Sequence, residues 1–187
     1  KIENINLLTN FFKLSQELIK NKIISAYHDK SDGGGFTTLS EMAFAGNCSI
    51  DIDTNPKLFI NEDDLIKFFF NEELGVFVEV QNNMLKRFND SLNKYGFLSH
   101  AKDIGKTYIE DTPKIIIRGY KTFTYNLYDL RKYWSSLSHQ IQSLRDNPSE
   151  AKQEYINKIN SHKNRGLYDI KPKLTFSIPQ NKIVFIK

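Results

Sequence analysis

The chain has 187 residues, of which 40% are hydrophobic and 13% aromatic, a composition that indicates one folded core and excludes a disordered polymer. Its 26 Lys and Arg residues against 22 Asp and Glu give a net charge of only +4, and no basic cluster typical of nucleic-acid binding stands out. A single cysteine, no signal peptide and no apolar run near the ~20 residues of a membrane span together predict a cytoplasmic protein that binds neither nucleic acid nor membrane.

The first 53 residues predict alternating helices and strands. Apolar residues at spacings of four and three indicate an amphipathic helix near the start: Leu7, Phe11, Leu14 and Leu18. An apolar run over residues 23–27 is typical of a buried strand. A second amphipathic helix follows from Phe36, and residues 49–53 alternate as a short strand.

The remaining elements continue this pattern as far as residue 161. Asn61 is an expected N-cap, because three acidic residues follow it in the first turn of a helix that runs to about residue 71. Further strands are expected over 75–80, 104–109, 114–118 and 121–125, with a helix over 85–95. An apolar stripe then predicts a helix that packs in the core: Leu130, Trp134, Leu137, Ile141 and Leu144. A shorter polar helix is expected over 149–161.

Helices and strands alternate early and strands cluster late, which predicts an α+β fold with a mixed β-sheet packed against helices. We divide the chain into a domain over 1–126, a helical connector over 127–160 and an extended linker over 161–187. The linker is expected because Lys, Asn, Gly and Pro dominate the last segment.

The most informative segment follows the first predicted strand and reads HDKSDGG over residues 28–34. Ligands gather where strands end and glycine turns lead into helices, and carboxylate oxygens such as those of Asp29 and Asp32 suit Mg²⁺. The glycines would let backbone N–H groups approach a phosphate at a helix N-terminus. The pattern therefore predicts a Mg-nucleotide site, although a simple turn, in which both acids only cap the next helix, explains it as well.

Four other residues carry side chains that could take part in chemistry. Glu72 and Glu73 form an acidic pair, for which a solvated helix end is the simpler interpretation, especially for Glu73. His28 beside Asp29 is compatible with a metal pair, yet a capping or core histidine is commoner. Cys48 lacks a His–acid arrangement, so we predict a packing role for it.

Four sequence blocks, in this order and spacing, resemble the large single-chain phosphoribosylformylglycinamidine synthases. They are YHDKSDGG over 27–34, LSEMAFAG over 39–46, FNEELG over 70–75 and LRDNP over 144–148. The resemblance spans about residues 4–156. It points to the second aminoimidazole-ribonucleotide-synthetase-like C domain of such enzymes, which is distantly ferredoxin-like, followed by the connector toward a glutaminase domain.

This resemblance implies an ATP-dependent carbon–nitrogen ligase of purine biosynthesis with glutamine as the amide donor. Its reaction converts formylglycinamide ribonucleotide, glutamine and ATP to formylglycinamidine ribonucleotide, glutamate, ADP and phosphate. Within it, Asp29 is expected to bind Mg²⁺, and Ser31, Gly33 and Gly34 are expected to contact ATP or ADP. His28 and Asp32 are expected to support that loop.

No catalytic residue is implied in this chain, which is expected to be inactive alone. Its expected partners are the preceding synthetase domains and the glutaminase domain of the full-length protein, in addition to the nucleotide. Two alternatives stay open: the C domain of another enzyme of the same ATP-binding superfamily, and a non-catalytic interaction module.

Overall fold

The structure is a computed structural model that describes residues 4–53, 59–164 and 181–186. The helices in these ranges are α1 (Ile5–Lys20), α2 (Gly34–Gly46), α3 (Glu62–Phe70), α4 (Leu85–Tyr95), α5 (Leu127–Arg145) and α6 (Pro148–Asn164). The strands are β1 (Ile24–Asp29), β2 (Ser49–Asp53), β3 (Val76–Gln81), β4 (Ala101–Tyr108), β5 (Lys114–Arg118), β6 (Thr122–Asn126) and β7 (Asn181–Ile186). Single 3₁₀ turns cover Asn82–Met84 and Leu98–His100.

The strands form one mixed sheet in the order β1-β3-β7-β4-β2-β5-β6. Strands β2 and β5 are parallel neighbours, whereas the other neighbouring pairs are antiparallel. This arrangement confirms the predicted α+β class with a mixed sheet and helices packed on it.

Helices cover both faces of the sheet, because successive side chains of a strand point to opposite faces. In β3, Val76 and Val78 pack in a core cluster with Leu14 of α1 and Phe88 of α4. Phe77, between them, belongs to the second cluster, which includes residues of α2 and α3. The result is a three-layer arrangement with the sheet in the middle.

Local capping chemistry sets several helix ends as the sequence predicts. The Asn61 side chain accepts a hydrogen bond from the Asp64 N–H at 2.9 Å, which confirms the N-cap of α3. Gly96 ends α4 in the left-handed conformation with φ +81°, a region that glycine adopts without strain. Within the described residues, no helix is long and apolar enough to cross a membrane.

The C-terminal strand β7 differs from the extended linker predicted over 161–187. It lies between β3 and β4 in the middle of the sheet, and Ile183, Val184, Phe185 and Ile186 are all buried. Residues 161–164 of that predicted linker belong to α6, and residues 165–180 and 187 lie outside the described residues. A four-residue apolar run gives no local sign of its partner strands, since these pairings join residues about 75–110 positions apart in the sequence.

The predicted helical extension is present, but the apolar stripe along α5 is not buried in a core. Trp134 is 51% exposed, Leu137 66% and Leu144 91%, so the prediction that this stripe packs in the interior is wrong. The buried side of α5 is narrow and contains Leu127, Arg131 and Ser135. The α5 helix also packs on α6, where the His139 and Tyr155 rings stack with centroids 4.3 Å apart.

Candidate functional site

The loop between β1 and α2 presents its acidic side chains to solvent. Asp29 is the last residue of β1, and its side chain is 76% exposed. Asp32 is also exposed, whereas Ser31 is partly buried. The orientation of Asp29 is the one that a metal ligand at this edge of the sheet requires, while its metal-binding role stays a prediction.

The glycines of the loop are needed for packing as well as for turning. Gly33 has φ +84° and Gly34 has φ +72°. A Cβ on Gly34 would lie 2.5 Å from the Phe69 carbonyl oxygen and 2.7 Å from the Asn71 carbonyl oxygen. The start of α2 therefore fits closely against the end of α3, a reason for this glycine that the sequence did not suggest.

We expect Gly34→Ala to lower the free energy of unfolding by about 2–4 kcal/mol, because it adds backbone strain and a collision with backbone carbonyls. Gly96→Ala is the matched control: its φ is also positive, but its Cβ would have no neighbour within 4 Å. We expect that control to lose only about 1 kcal/mol. Urea denaturation measures both, and equal losses would contradict the packing explanation.

Residues 71–75, which connect α3 to β3, hold the β1–α2 loop in place. The Lys30 N–H donates to the Gly75 carbonyl at 2.8 Å, and the Lys30 ammonium donates to Asn71 Oδ1. The Gly33 N–H donates to Glu72 Oε1 at 3.0 Å. Sequence reasoning noticed the acidic pair but assigned Glu72 no partner, whereas the structure places its carboxylate at the start of α2.

A second set of hydrogen bonds closes the loop on itself. The Gly34 N–H donates to the Ser31 carbonyl at 2.9 Å, and the Ser31 N–H approaches Thr38 Oγ1 at 3.4 Å. The Thr38 hydroxyl in turn donates to the Gly34 carbonyl at 3.0 Å. Thr38 is fully buried and was missed at the sequence level, since a threonine inside a helix carries no distinctive signal.

His28 anchors the loop to helix α2. Its Nδ1 lies 2.7 Å from the Asp29 carbonyl oxygen, and its Nε2 lies 3.2 Å from Glu41 Oε2. The other Glu41 oxygen accepts a hydrogen bond from Trp134 Nε1 at 2.9 Å. Both imidazole nitrogens thus face oxygen atoms. These contacts join His28 to the loop and to α2, while the supporting role that the resemblance implies for it stays a prediction.

The described residues contain no group of three or more His, Cys, Asp or Glu side chains that would enclose a metal ion. Mg²⁺ usually takes only one or two protein carboxylates and completes its shell with phosphate oxygens and water. The exposed Asp29 carboxylate fits one such position. The remaining oxygens would have to come from the nucleotide, water or another domain.

Residues 2–118 match a known family, the C-terminal domain of AIR synthase-related proteins. The chain belongs to this family. This membership supports an enzyme domain of the ATP-binding synthetase superfamily, with a nucleotide ligand in general terms. The matched range runs from α1 to the end of β5, so α5, α6 and β7 lie beyond it.

A cavity of about 1060 Å³ lies next to the loop of this AIR synthase-related domain. His28 and Glu41 line it, together with side chains from the sheet, α2, α5 and α6. Among its charged groups, Arg131 is 6% exposed and donates to the Phe44 carbonyl at 2.7 Å. Burial lowers the pKa of the Arg131 guanidinium. No local sequence pattern predicts this cavity, because its walls come from segments that are distant in the sequence.

Cys48 lies at the cavity wall as a half-buried free thiol. Burial, and to a smaller extent the negative charge of Glu79, raises its pKa to about 11. A raised pKa disfavours the thiolate, which is the reactive form. This environment agrees with the packing role predicted for Cys48.

We therefore expect Cys48 to react with iodoacetamide at pH 8 about a hundredfold more slowly than a thiol of ordinary pKa, because its thiolate fraction is lower by that factor. Since its pKa is raised, the rate should keep increasing as the pH rises toward about 11. Mass spectrometry follows the labelling, and the urea-unfolded chain is the control. Equal rates in the folded and unfolded chain at pH 8 would contradict the prediction.

Proposed function

We propose that this AIR synthase-related domain is part of a phosphoribosylformylglycinamidine synthase. In that reaction, ATP activates the amide oxygen of formylglycinamide ribonucleotide, and ammonia from glutamine then displaces phosphate. The proposal goes beyond the family in naming the substrate and the amide donor. It is supported by the four sequence blocks, three of which lie within the matched range.

The contribution proposed for this chain is a set of contacts to Mg-nucleotide. Asp29 binds Mg²⁺, while Ser31, Gly33 and Gly34 contact the phosphates of ATP or ADP. The observation that carries this proposal is the exposed Asp29 carboxylate at the end of β1, directly before the N-terminus of α2. A helix N-terminus favours phosphate through its N–H groups and its dipole. The metal ion offsets the negative charges of the Asp29 carboxylate and of the phosphate.

In this proposal, the residues that carry out the chemical steps belong to other domains of the full-length enzyme. One carboxylate and one loop are too few contacts to bind Mg-nucleotide tightly, so a preceding synthetase domain is proposed to supply further metal ligands and the adenine contacts. The chain alone is therefore expected to be folded and inactive. The proposed partners are the synthetase domains before it and a glutaminase domain after it.

The exposed apolar side of α5 is proposed to contact the glutaminase domain. Four large side chains form it: Tyr133, Leu137, Ile141 and Leu144, between 55% and 91% exposed. Exposed apolar patches of this kind often mark protein–protein contacts. The same surface also supports a second candidate function, a non-catalytic interaction module.

Calorimetric titration with Mg-ADP separates the two functions. We expect binding by the polypeptide that joins this chain to its preceding synthetase domain, and none by the 187-residue chain alone. The longer enzyme should form formylglycinamidine ribonucleotide only with glutamine and ATP both present. Binding of an anionic polymer by the chain alone, unchanged by Asp29→Ala, together with no Mg-ADP binding by the longer polypeptide, would favour the interaction module instead.

A further inference from the structure

We propose that the Glu72 carboxylate occupies the position of a nucleotide phosphate at the start of α2, and that it must leave this position before the phosphate binds. Glu72 would then be a built-in competitor that weakens nucleotide affinity. This inference rests on the proposed function, since it needs a phosphate group at the β1–α2 loop.

The geometry at the start of α2 is the first argument. The Gly33 N–H donates to Glu72 Oε1 at 3.0 Å. Helix α2 has no side-chain cap of its own and no acidic residue in its first turn. The positive end of this 13-residue helix is thus met by a carboxylate from another segment of the chain. Carboxylate and phosphate oxygens accept the same charge-assisted hydrogen bonds from backbone N–H groups, so the two anions compete for one position.

The second argument is that Glu72 can leave without disturbing the fold. Glu72 is exposed, whereas the segment around it is held by hydrogen bonds from the Lys30 ammonium to Asn71 Oδ1 and from the Lys30 N–H to the Gly75 carbonyl. Gly34 packs directly on the carbonyls at the end of α3. Rotation of the Glu72 side chain into solvent therefore breaks one hydrogen bond and leaves both loops in place.

Charge is the third argument. Asp29, Asp32 and Glu72 all belong to the two segments that meet at this loop, and none of them forms an ion pair with Lys or Arg within the described residues. A nucleotide diphosphate adds further negative charge to the same place. Mg²⁺ bound to Asp29 offsets part of this negative charge. Movement of the Glu72 carboxylate away from the Gly33 N–H lowers the electrostatic repulsion further.

The test compares Glu72→Gln with Glu73→Gln by calorimetric titration of Mg-ADP, in the polypeptide joined to its preceding synthetase domain. Glu73 is the matched control because it is the neighbouring exposed carboxylate. We expect Glu72→Gln to bind Mg-ADP about three- to tenfold more tightly than the unchanged protein, in line with the worth of one charge at a helix terminus, and Glu73→Gln to bind less than twofold differently. Thermal melting of each variant verifies that it is folded.

The direction of the change in Mg-ADP affinity distinguishes competition between Glu72 and phosphate from a role of Glu72 in bracing the loop. If Glu72 only braced the loop, its substitution would weaken nucleotide binding. Mg-ADP binding by Glu72→Gln that is weaker or unchanged, but still depends on Asp29, overturns this inference and leaves the proposed function standing. Absence of Asp29-dependent binding in every variant overturns the proposed function and this inference with it. A crystal structure with Mg-ADP gives a second readout: the Gly33 N–H should lie within about 3.2 Å of a phosphate oxygen, with Glu72 turned away.

Discussion

Asp29→Ala is expected to weaken Mg-ADP binding about a hundredfold or more in a polypeptide that joins this chain to the synthetase domain proposed to precede it. Loss of a group that merely orients a metal ligand already costs 10- to 100-fold in metal affinity, and Asp29 is proposed to be a ligand itself. Its side chain is 76% exposed, and its Oδ1 lies 3.9 Å from His28 Nδ1. Calorimetry with Mg-ADP measures the change, and thermal melting should show little loss of stability.

Asp53→Ala is the matched control, because Asp53 is likewise an exposed acid at the last position of a strand. It should leave Mg-ADP affinity unchanged. Equal effects of the two substitutions would indicate a general electrostatic contribution and would remove Asp29 from the metal site. Mg-ADP affinity that survives Asp29→Ala would contradict the role proposed for this loop.

Phe185→Ala is expected to destabilise the domain by about 3–5 kcal/mol, because it leaves a large cavity beneath the sheet. Phe185 is 6% exposed and packs on Phe77 and Phe68, with ring centroids 4.8 and 5.4 Å apart. A loss of this size is a large part of the 5–15 kcal/mol that usually stabilises a domain. Urea denaturation, followed by circular dichroism, measures it.

The control for this experiment is Leu144→Ala, which removes a similar apolar side chain that is 91% exposed. It should change the free energy of unfolding by less than about 0.5 kcal/mol. A chain that ends at residue 180 provides a stronger test, since it lacks the strand between β3 and β4 and should not fold. If that shortened chain keeps a native melting transition, β7 is not part of the stable sheet.

Much of the local structure follows from the sequence because it depends on neighbours along the chain. Spacings of three and four predict α1, which the structure confirms over Ile5–Lys20. Strand β2 has the predicted bounds, Ser49–Asp53, and Gly96 ends α4 as expected. Periodicity and capping act within a few residues, so a single sequence displays them.

The surroundings of the site could not be predicted in the same way. The hydrogen bond from Gly33 to Glu72 joins residues 39 positions apart, and that from Trp134 to Glu41 joins residues 93 apart. Such contacts exist only once the sheet has brought α2, the α3–β3 segment and α5 together. Gly33, Glu41 and Glu72 each lie in a recognised sequence block, but the blocks do not show which residue each of them contacts.

By itself, the sequence determined the alternation of helices and strands, the α+β class and the position of the glycine loop that follows Asp29. Only the tertiary structure decided that β7 completes the middle of the sheet, that the apolar stripe of α5 is exposed and that Glu72 lies at the start of α2. The physical reason is that an apolar pattern shows which side chains can be buried, while burial itself depends on a second surface. That second surface comes from parts of the chain that are distant in the sequence, and no local sequence pattern predicts that they pack together.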